Sequence, residues 1–436
     1  MKNNIIIILL LLSIVSCKQE TQKEKSIDKI TDSADYIKYL NVENQQKIAD
    51  LQQDIDSMET RLESQPNAVG DLGRLSVMYN TSYDLTADVN HLHKAVQSKE
   101  RQVEHLAIKP WKAKLGLAQL YIKQHQFRRA DSLMRSFTTE QLSKEEQMLY
   151  FDIAMELGDY PLAEKMLDNL ENPRDYNYLI RAAKWNDFKG DLAATLQMME
   201  KAKKLADQSG NTSLQLWSNS NIADYYGHNG EIDKSYQHYL KTLALDPDNY
   251  YALKGIAWIE YAHENDPAKA LDILQALQEN HPLPDYKLAI AEIKEFQGDT
   301  AAADRLREEF LEETSQDKYG KLYNTYRIEL LAQGNLKMKE EAIQLAREEV
   351  EHRPTPETYD LLGYALLQNN NKEEALKNHR AHVIDKTYEP VAALHTYEIL
   401  LANDLNEEAR EYQSELMEAA YELGPVTMTS IKKMSK

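Results

Sequence analysis

Cysteine occurs once in the 436 residues, at Cys17, so no disulfide within the chain can hold this protein together. Glycine (14) and proline (12) fall well below average usage, which excludes collagen-like, linker-rich and disordered chains. Valine is scarcer still, eleven in all and none between Val103 and Val350, and β-sheets would fill such a stretch with β-branched side chains. Basic residues are also short: 51 Lys and Arg against 71 Asp and Glu leave a net charge of −20, which repels phosphate backbones and excludes nucleic acid as a partner. Alanine, leucine, glutamate, lysine and glutamine dominate instead, and these are helix formers. An all-α protein is expected.

The N-terminus reads as a targeting segment. Met1-Lys2-Asn3-Asn4 is a short basic start, and Ile5 to Leu12 carries no polar side chain. That run is too short to span a bilayer, which needs about 18 to 20 residues, and it has the build of a signal peptide. The sequence Ile14-Val15-Ser16-Cys17 resembles the lipobox of bacterial lipoproteins. The resemblance implies a signal peptide over residues 1–16 and a lipid on Cys17, two or three acyl chains being enough for a stable anchor. Lys18 rather than aspartate after the cysteine favours the outer membrane by the usual sorting rule. Residues 17–35, polar and without apolar periodicity, read as a flexible tether.

Beyond the tether the chain repeats itself. Gly158-Asp159, Gly190-Asp191, Gly230-Glu231, Gly298-Asp299 and Gly334-Asn335 recur at spacings of 32, 40, 68 and 36, a period near 34 that marks arrays of helix pairs. The clearest copy runs from Leu216 to Asn249. It carries Ile222, Ala223, Tyr226, Gly230, Tyr239 and Pro247 where the tetratricopeptide repeat has its leucine, small residue, tyrosine, turn glycine, second aromatic and closing proline. Asn219, Ser235 and Thr242 depart from that pattern, Ser235 and Thr242 standing in for alanines. Ala130, Ala163, Ala270, Ala303, Ala342, Ala375 and Ala409 extend the register, with unit starts near 66, 111, 144, 176, 216, 250, 284, 317, 356 and 390. The chain therefore resembles the tetratricopeptide repeat family. The resemblance implies a right-handed superhelical solenoid of about ten helix pairs over residues 66–423, since one pair buries too little to stand alone.

Residues 36–65 carry a seam of Ile48, Leu51, Ile55, Met58 and Leu62, read as a helix capping the first repeat, with a short coiled coil as the alternative. Residues 424–436 show no periodicity and are expected to be a flexible tail.

No chemistry is written in the usual motifs. Nucleophile elbow, phosphate loop, His-Glu-x-x-His and Cys-x-x-Cys are all lacking, so neither an enzyme nor a cofactor is indicated. Glu340-Glu341, Glu373-Glu374 and Glu407-Glu408 stand in first helical turns, where the helix dipole accounts for them. His379 and His382 share a helix at a spacing that can chelate a metal, but no third ligand follows at recognisable spacing. His91 and His93 point to different helix faces.

A surface remains. In the tetratricopeptide family the first helices line a concave groove that holds segments of partner proteins. By that resemblance the groove receives Lys184, Trp217, Asn221, Asp224 and His228, then Tyr251, Lys254, Trp258 and Tyr261, and further on Glu292, Phe296 and Tyr364. Rings with a polar edge suit recognition because they bring large contact area with few rotors. The lysine and asparagine pattern that clamps a partner's C-terminal carboxylate is not reproduced. The expected function is a membrane-anchored scaffold binding a protein or peptide in an envelope complex. The alternative is a lipoprotein capturing a glycan or other nutrient for an outer-membrane transporter.

Overall fold

One short turn, used repeatedly, sets the architecture. In the computed structural model, which describes residues 29–41, 44–108, 110–137 and 141–434, each such turn passes through a left-handed residue. The next amide then reaches back five residues to a carbonyl, as Asp159 N–H does to Ala154 and Asp299 N–H to Lys294. Gly158, Gly190, Gly230 and Gly298 hold this position at φ of 68 to 84° without steric cost. Asp159, Asp191 and Asp299 then cap the helix that follows, which explains the glycine–acid pairs. His125, Asn265, Asn370 and Asp404 hold the same position without glycine. Five residues beyond each turn comes the residue that lies against the partner helix. It is alanine, with no exposed surface, at Ala130, Ala163, Ala270, Ala303, Ala375 and Ala409.

Ten helix pairs lie among the described residues, nine of them joined through a left-handed residue; in unit 8 the turn glycine, Gly334, is not left-handed. Unit 1 pairs Val69–Thr86 with Val89–His105, unit 2 Trp111–Lys123 with Phe127–Arg135, and unit 3 Lys144–Glu156 with Tyr160–Asn169. Unit 4 pairs Tyr176–Phe188 with Leu192–Ser209, and unit 5 pairs Thr212–His228 with Ile232–Leu245. In unit 6 the helix Tyr250–Trp258 runs into a π-helical turn, Ile259–His263, before Pro267–Asn280. Units 7 and 8 are Tyr286–Phe296 with Thr300–Thr314 and Asn324–Ala332 with Leu336–His352. Units 9 and 10 are Pro356–Gln368 with Lys372–His382 and Pro390–Ala402 with Asn406–Glu418. The fold is an α-solenoid. No described helix is long and apolar enough to cross a membrane.

The solenoid winds back upon itself. Early units lie against the connections between the late ones: His93 Nε2, in the second helix of unit 1, meets the Lys318 carbonyl at 2.6 Å, and Arg353 pairs with Glu156, at the end of the first helix of unit 3, at 2.8 Å. Gly158 sits so close to the next turn that a Cβ there would lie 2.4 Å from the Pro354 carbonyl oxygen, and one at Gly190 would lie 2.6 Å from the Tyr388 ring. Both positions need glycine twice over, for the left-handed backbone and for this approach.

Both ends depart from the sequence expectation. Residues 29–35, expected to hang as a tether, lie on units 5 and 6: the Ile30 amide donates to Glu264 at 2.8 Å, and Tyr236 donates to the Asp32 carbonyl. Buried Tyr36 fixes the segment, its hydroxyl donating to Glu260. The helix Gln45–Ser64 follows, with Asn44 and Lys47 held by Tyr250 and Asp248 and with Ile55 and Leu62 buried against unit 1. Its apolar seam thus faces the chain's own first repeat. The tail expected to be flexible is the helix Ala420–Met434, kinked at Gly424 and Pro425. Met428 and Ile431 are buried, a pair three residues apart that is too short a pattern to stand out in the sequence. Cys17 and the signal segment lie outside the described residues.

Gly158 and Gly230 provide a controlled comparison, because both are left-handed but, among the described residues, nothing lies within 4 Å of the Cβ position at Gly230. Gly230→Ala is expected to lower stability by about 1 kcal/mol, the cost of the backbone alone. Gly158→Ala is expected to cost about 1–3 kcal/mol more, through the forced shift at Pro354. Urea unfolding midpoints of the two variants measure the difference.

Candidate functional site

The first helices of units 5, 6 and 7 face the interior, but the groove they form is not empty. The C-terminal helix crosses it. The Trp258 indole donates to the Tyr421 carbonyl at 3.0 Å, and a Cβ at Gly424 would lie 2.9 Å from the Trp258 ring. Between this helix, the three first helices and the start of unit 10 lies a cavity of about 520 Å³. Its wall includes Asp224, Gly227, His228, Tyr239, Tyr251, Lys254, Trp258, Tyr261, Glu389, Tyr421 and Glu422. A second cavity of about 600 Å³, reached past His228, Glu389 and Glu422, adjoins it and is bounded by Lys184, Asp187, Arg353 and Glu357.

Local sequence makes the wall. Gly255 lets the Tyr239 ring lie flat against its helix, since a Cβ there would come within 2.2 Å of that ring. Tyr239 and Tyr251 both donate to Asp224 at 2.5 Å. Burial still pushes the Asp224 carboxyl above its ordinary range, the two hydroxyls only partly opposing it. Lys254 forms an ion pair with Asp285 at 2.6 Å; burial works against its charge, but the facing carboxylate outweighs it and lifts the ammonium pKa. The π-helical turn at Ile259–His263 adds a residue to the helix between Trp258 and the next unit. Tyr261, now buried, donates to Glu292 at 3.2 Å, and burial raises Glu292 to about 7.

The interior is acidic. Burial inside the ring of helices raises Asp187 to about 6, while burial together with neighbouring carboxylates raises Glu389 and Glu422 to about 7. The cations nearby are already engaged. Lys184 and Arg353 both pair with Glu156, at 2.9 and 2.8 Å, which holds that carboxyl below its usual range in spite of its burial. His228, kept neutral by burial, stands 3.6 Å from Glu422.

The residues singled out from the sequence separate into groups. Asp224, His228, Tyr251, Lys254, Trp258 and Tyr261 come together around the first cavity, and Lys184 borders the second. Trp217, 40% exposed, stands outside them, edge-on to Tyr176, and the Asn221 amide is turned back to the Trp217 carbonyl. Glu292 holds Tyr261, and Phe296 packs edge-on against the same ring. Tyr364 is a correction: it is buried and stacked on His395 at 4.0 Å, in the core rather than in a groove. Sequence reading did not find Asp187, Glu389, Tyr421 or Glu422. They come from units 4 and 10 and from the tail, and only the winding of the chain brings them to unit 5.

The histidines do not form a chelate. His379 hydrogen-bonds Thr396 at 3.0 Å and faces Asp360 at 3.5 Å, whereas His382 stacks on Tyr359. His91 meets Ser82 and His93 meets Lys318, in different directions. Among the described residues no three His, Cys, Asp or Glu side chains converge as metal ligands would.

No family model matches the chain, and no curated protein sequence matches it. Solved structures do. The chain is similar to tetratricopeptide repeat proteins. One such protein from Parabacteroides merdae is 15% identical, with 56% of this chain and 91% of that one covered at a TM-score of 0.37. A monomeric IFIT1 mutant with m7Gppp-AAAA is 15% identical over 86% of this chain and 84% of that one, at 0.36. Yeast Tom70 is 15% identical over 88% and 97%, at 0.35.

Raised carboxylates make stability depend on pH. Below about pH 4.5 these groups are protonated both folded and unfolded, and between there and about pH 7 the folded chain holds protons that the unfolded chain releases. Stability therefore falls as pH rises through this window. Thermal melts are expected to show a higher midpoint at pH 5.5 than at pH 8. A Glu389→Gln/Glu422→Gln variant is expected to melt higher than wild type at pH 8 and to show a flatter profile.

Proposed function

We propose that this chain is an outer-membrane lipoprotein that binds a segment of another protein inside its helical ring and so scaffolds an envelope complex. The lipobox-like sequence at Cys17 supports the anchor. The observation that carries the binding reading is the first cavity, where rings and charged groups from units 5 and 6 meet at an opening marked by Tyr251, 55% exposed. Concave, aromatic-walled sites with a few converging polar groups are where proteins hold ligands. Because the C-terminal helix already occupies much of the groove, the partner enters as an extended stretch or a loop. The acidic interior is unsuited to nucleic acid. Catalysis has no support in this geometry.

Capture of a glycan or nutrient would call for inserted elements beyond the repeats. The ten pairs among the described residues follow one another through short connections.

Two variants test the proposal. Cys17→Ala is expected to move the protein from the membrane to the soluble fraction after cell fractionation, and retention in the membrane refutes the lipid anchor. Tyr251→Ala removes an exposed ring and is expected to keep the helicity. Cross-linked capture of lipidated wild type and of this variant from the envelope, read by mass spectrometry, is expected to show one protein lost or depleted about tenfold in the variant. Identical partner sets for the two forms sink the site.

A further inference from the structure

The interior of the ring carries a charge that the chain itself leaves unanswered. Asp187 belongs to unit 4, Glu389 opens unit 10 and Glu422 lies on the C-terminal helix, and they face a shared space. Among the described residues no lysine or arginine pairs with any of the three. The nearest candidates, Lys184, Arg353 and Lys254, are held by Glu156 and Asp285 at 2.6 to 2.9 Å. Negative charge so confined attracts a cation.

A second observation is independent of charge. At the position where six other units place a fully buried alanine, five residues after the turn, unit 5 has Ser235. Unit 4 has Thr195 there, whose hydroxyl donates to the carbonyls of Asp191 and Ala183. Ser235 is 1% exposed, its Oγ has no hydrogen-bond partner among the described residues, and it lines the first cavity beside Gly227. A buried hydroxyl left without a partner costs about 1–3 kcal/mol. Nothing in the packing requires it, because alanine serves the same position elsewhere.

The shape of the site decides between kinds of cation. The carboxylates are spread around a wide opening and do not converge as metal ligands. Beside them stand Trp258, Tyr251 and Tyr421, rings that pack against an alkyl stem and attract a cationic head. We propose that this cavity is the recognition pocket for a lysine or arginine side chain of the partner segment, its cationic head between Glu389 and Glu422, its stem along the rings, and Ser235 Oγ hydrogen-bonding its backbone amide. This rests on the protein-binding reading above and names the chemistry of that partner: a basic segment, complementary to a chain of net charge −20.

Calorimetric titration of the full lipidated chain in detergent micelles tests it. The probes are Nα-acetyl-lysine methylamide, Nα-acetyl-arginine methylamide, the uncharged Nα-acetyl-norleucine methylamide, and cadaverine. The two basic amides are expected to bind at least tenfold more tightly than the norleucine amide, with an affinity that falls as salt is added. The Glu389→Gln/Glu422→Gln variant is expected to lose at least tenfold for the basic amides while its melting temperature holds or rises, so that unfolding does not account for the loss. Ser235→Ala is expected to weaken both basic amides severalfold. Equal affinity for lysine and norleucine amides, or undiminished binding by the double variant, overturns the proposal. Tighter binding of cadaverine than of the lysine amide assigns the pocket to a free diamine and overturns the side-chain assignment. If the double variant still captures the wild-type protein partner from the envelope, the scaffold reading stands and the cation pocket falls.

Discussion

The interior of this molecule depends on the line where one turn of helices meets the next. In an open solenoid each unit touches only its neighbours, and stability adds up unit by unit. Here Glu156 of unit 3 pairs with Arg353 at the entrance to unit 9, and the Gly158 turn lies directly on the Pro354 carbonyl. Those contacts span about 200 residues of chain, so they carry a large loop-closure entropy that must be met by good geometry. Left-handed glycines meet that demand, since the same missing Cβ permits both the turn and the approach. Closure links units that are distant in sequence, and it encloses the space in which Asp187, Glu389 and Glu422 face one another.

The C-terminal helix completes the enclosure. Lying across units 5 to 7, it takes up the indole N–H of Trp258 and buries Met428 and Ile431. Tyr251, Trp258 and Tyr261 face this groove. In this chain the helix covers some of them and leaves Tyr251, Asp224 and the edge of Trp258 around a cavity of about 520 Å³.

Local signals were legible in the sequence because they report local physics. Glycine before an acid marks a left-handed turn followed by a helix cap, and alanine five residues on marks the contact between paired helices. Both read directly as helix pairs. Units 2, 6, 9 and 10 show the limit, since His125, Asn265, Asn370 and Asp404 adopt the turn without glycine and only their alanines reveal them. Closure was not legible, because Gly158 looks like Gly230 until Pro354 is placed against it. The tail was misread for a related reason: its burial depends on a surface built by residues about 160 positions earlier. Of the site, the residues on successive first helices could be read, since one helix face repeats in register. The acids from units 4 and 10 and from the tail could not.

Two polar clusters inside the ring show how structure and function can be told apart here. At units 9 and 10, Asp360 lies between His379 and His395, at 3.5 and 2.8 Å, and its negative charge raises the pKa of His395 against the effect of burial. Acid and base compensate each other, and Gly363 makes room for the His379 ring, so the cluster serves the packing of its own helices. Around unit 5 the opposite holds. Acids face acids, the neighbouring cations are engaged elsewhere, and of the two buried hydroxyls that break the alanine register, Ser235, unlike Thr195, has no hydrogen-bond partner among the described residues. Such departures from local consistency destabilise the free chain, and where the rest of a fold is consistent they fall at functional sites. The register that makes ten similar units is what gives Ser235 its meaning: a hydroxyl is unremarkable in one helix pair, and informative when six sister positions are alanine.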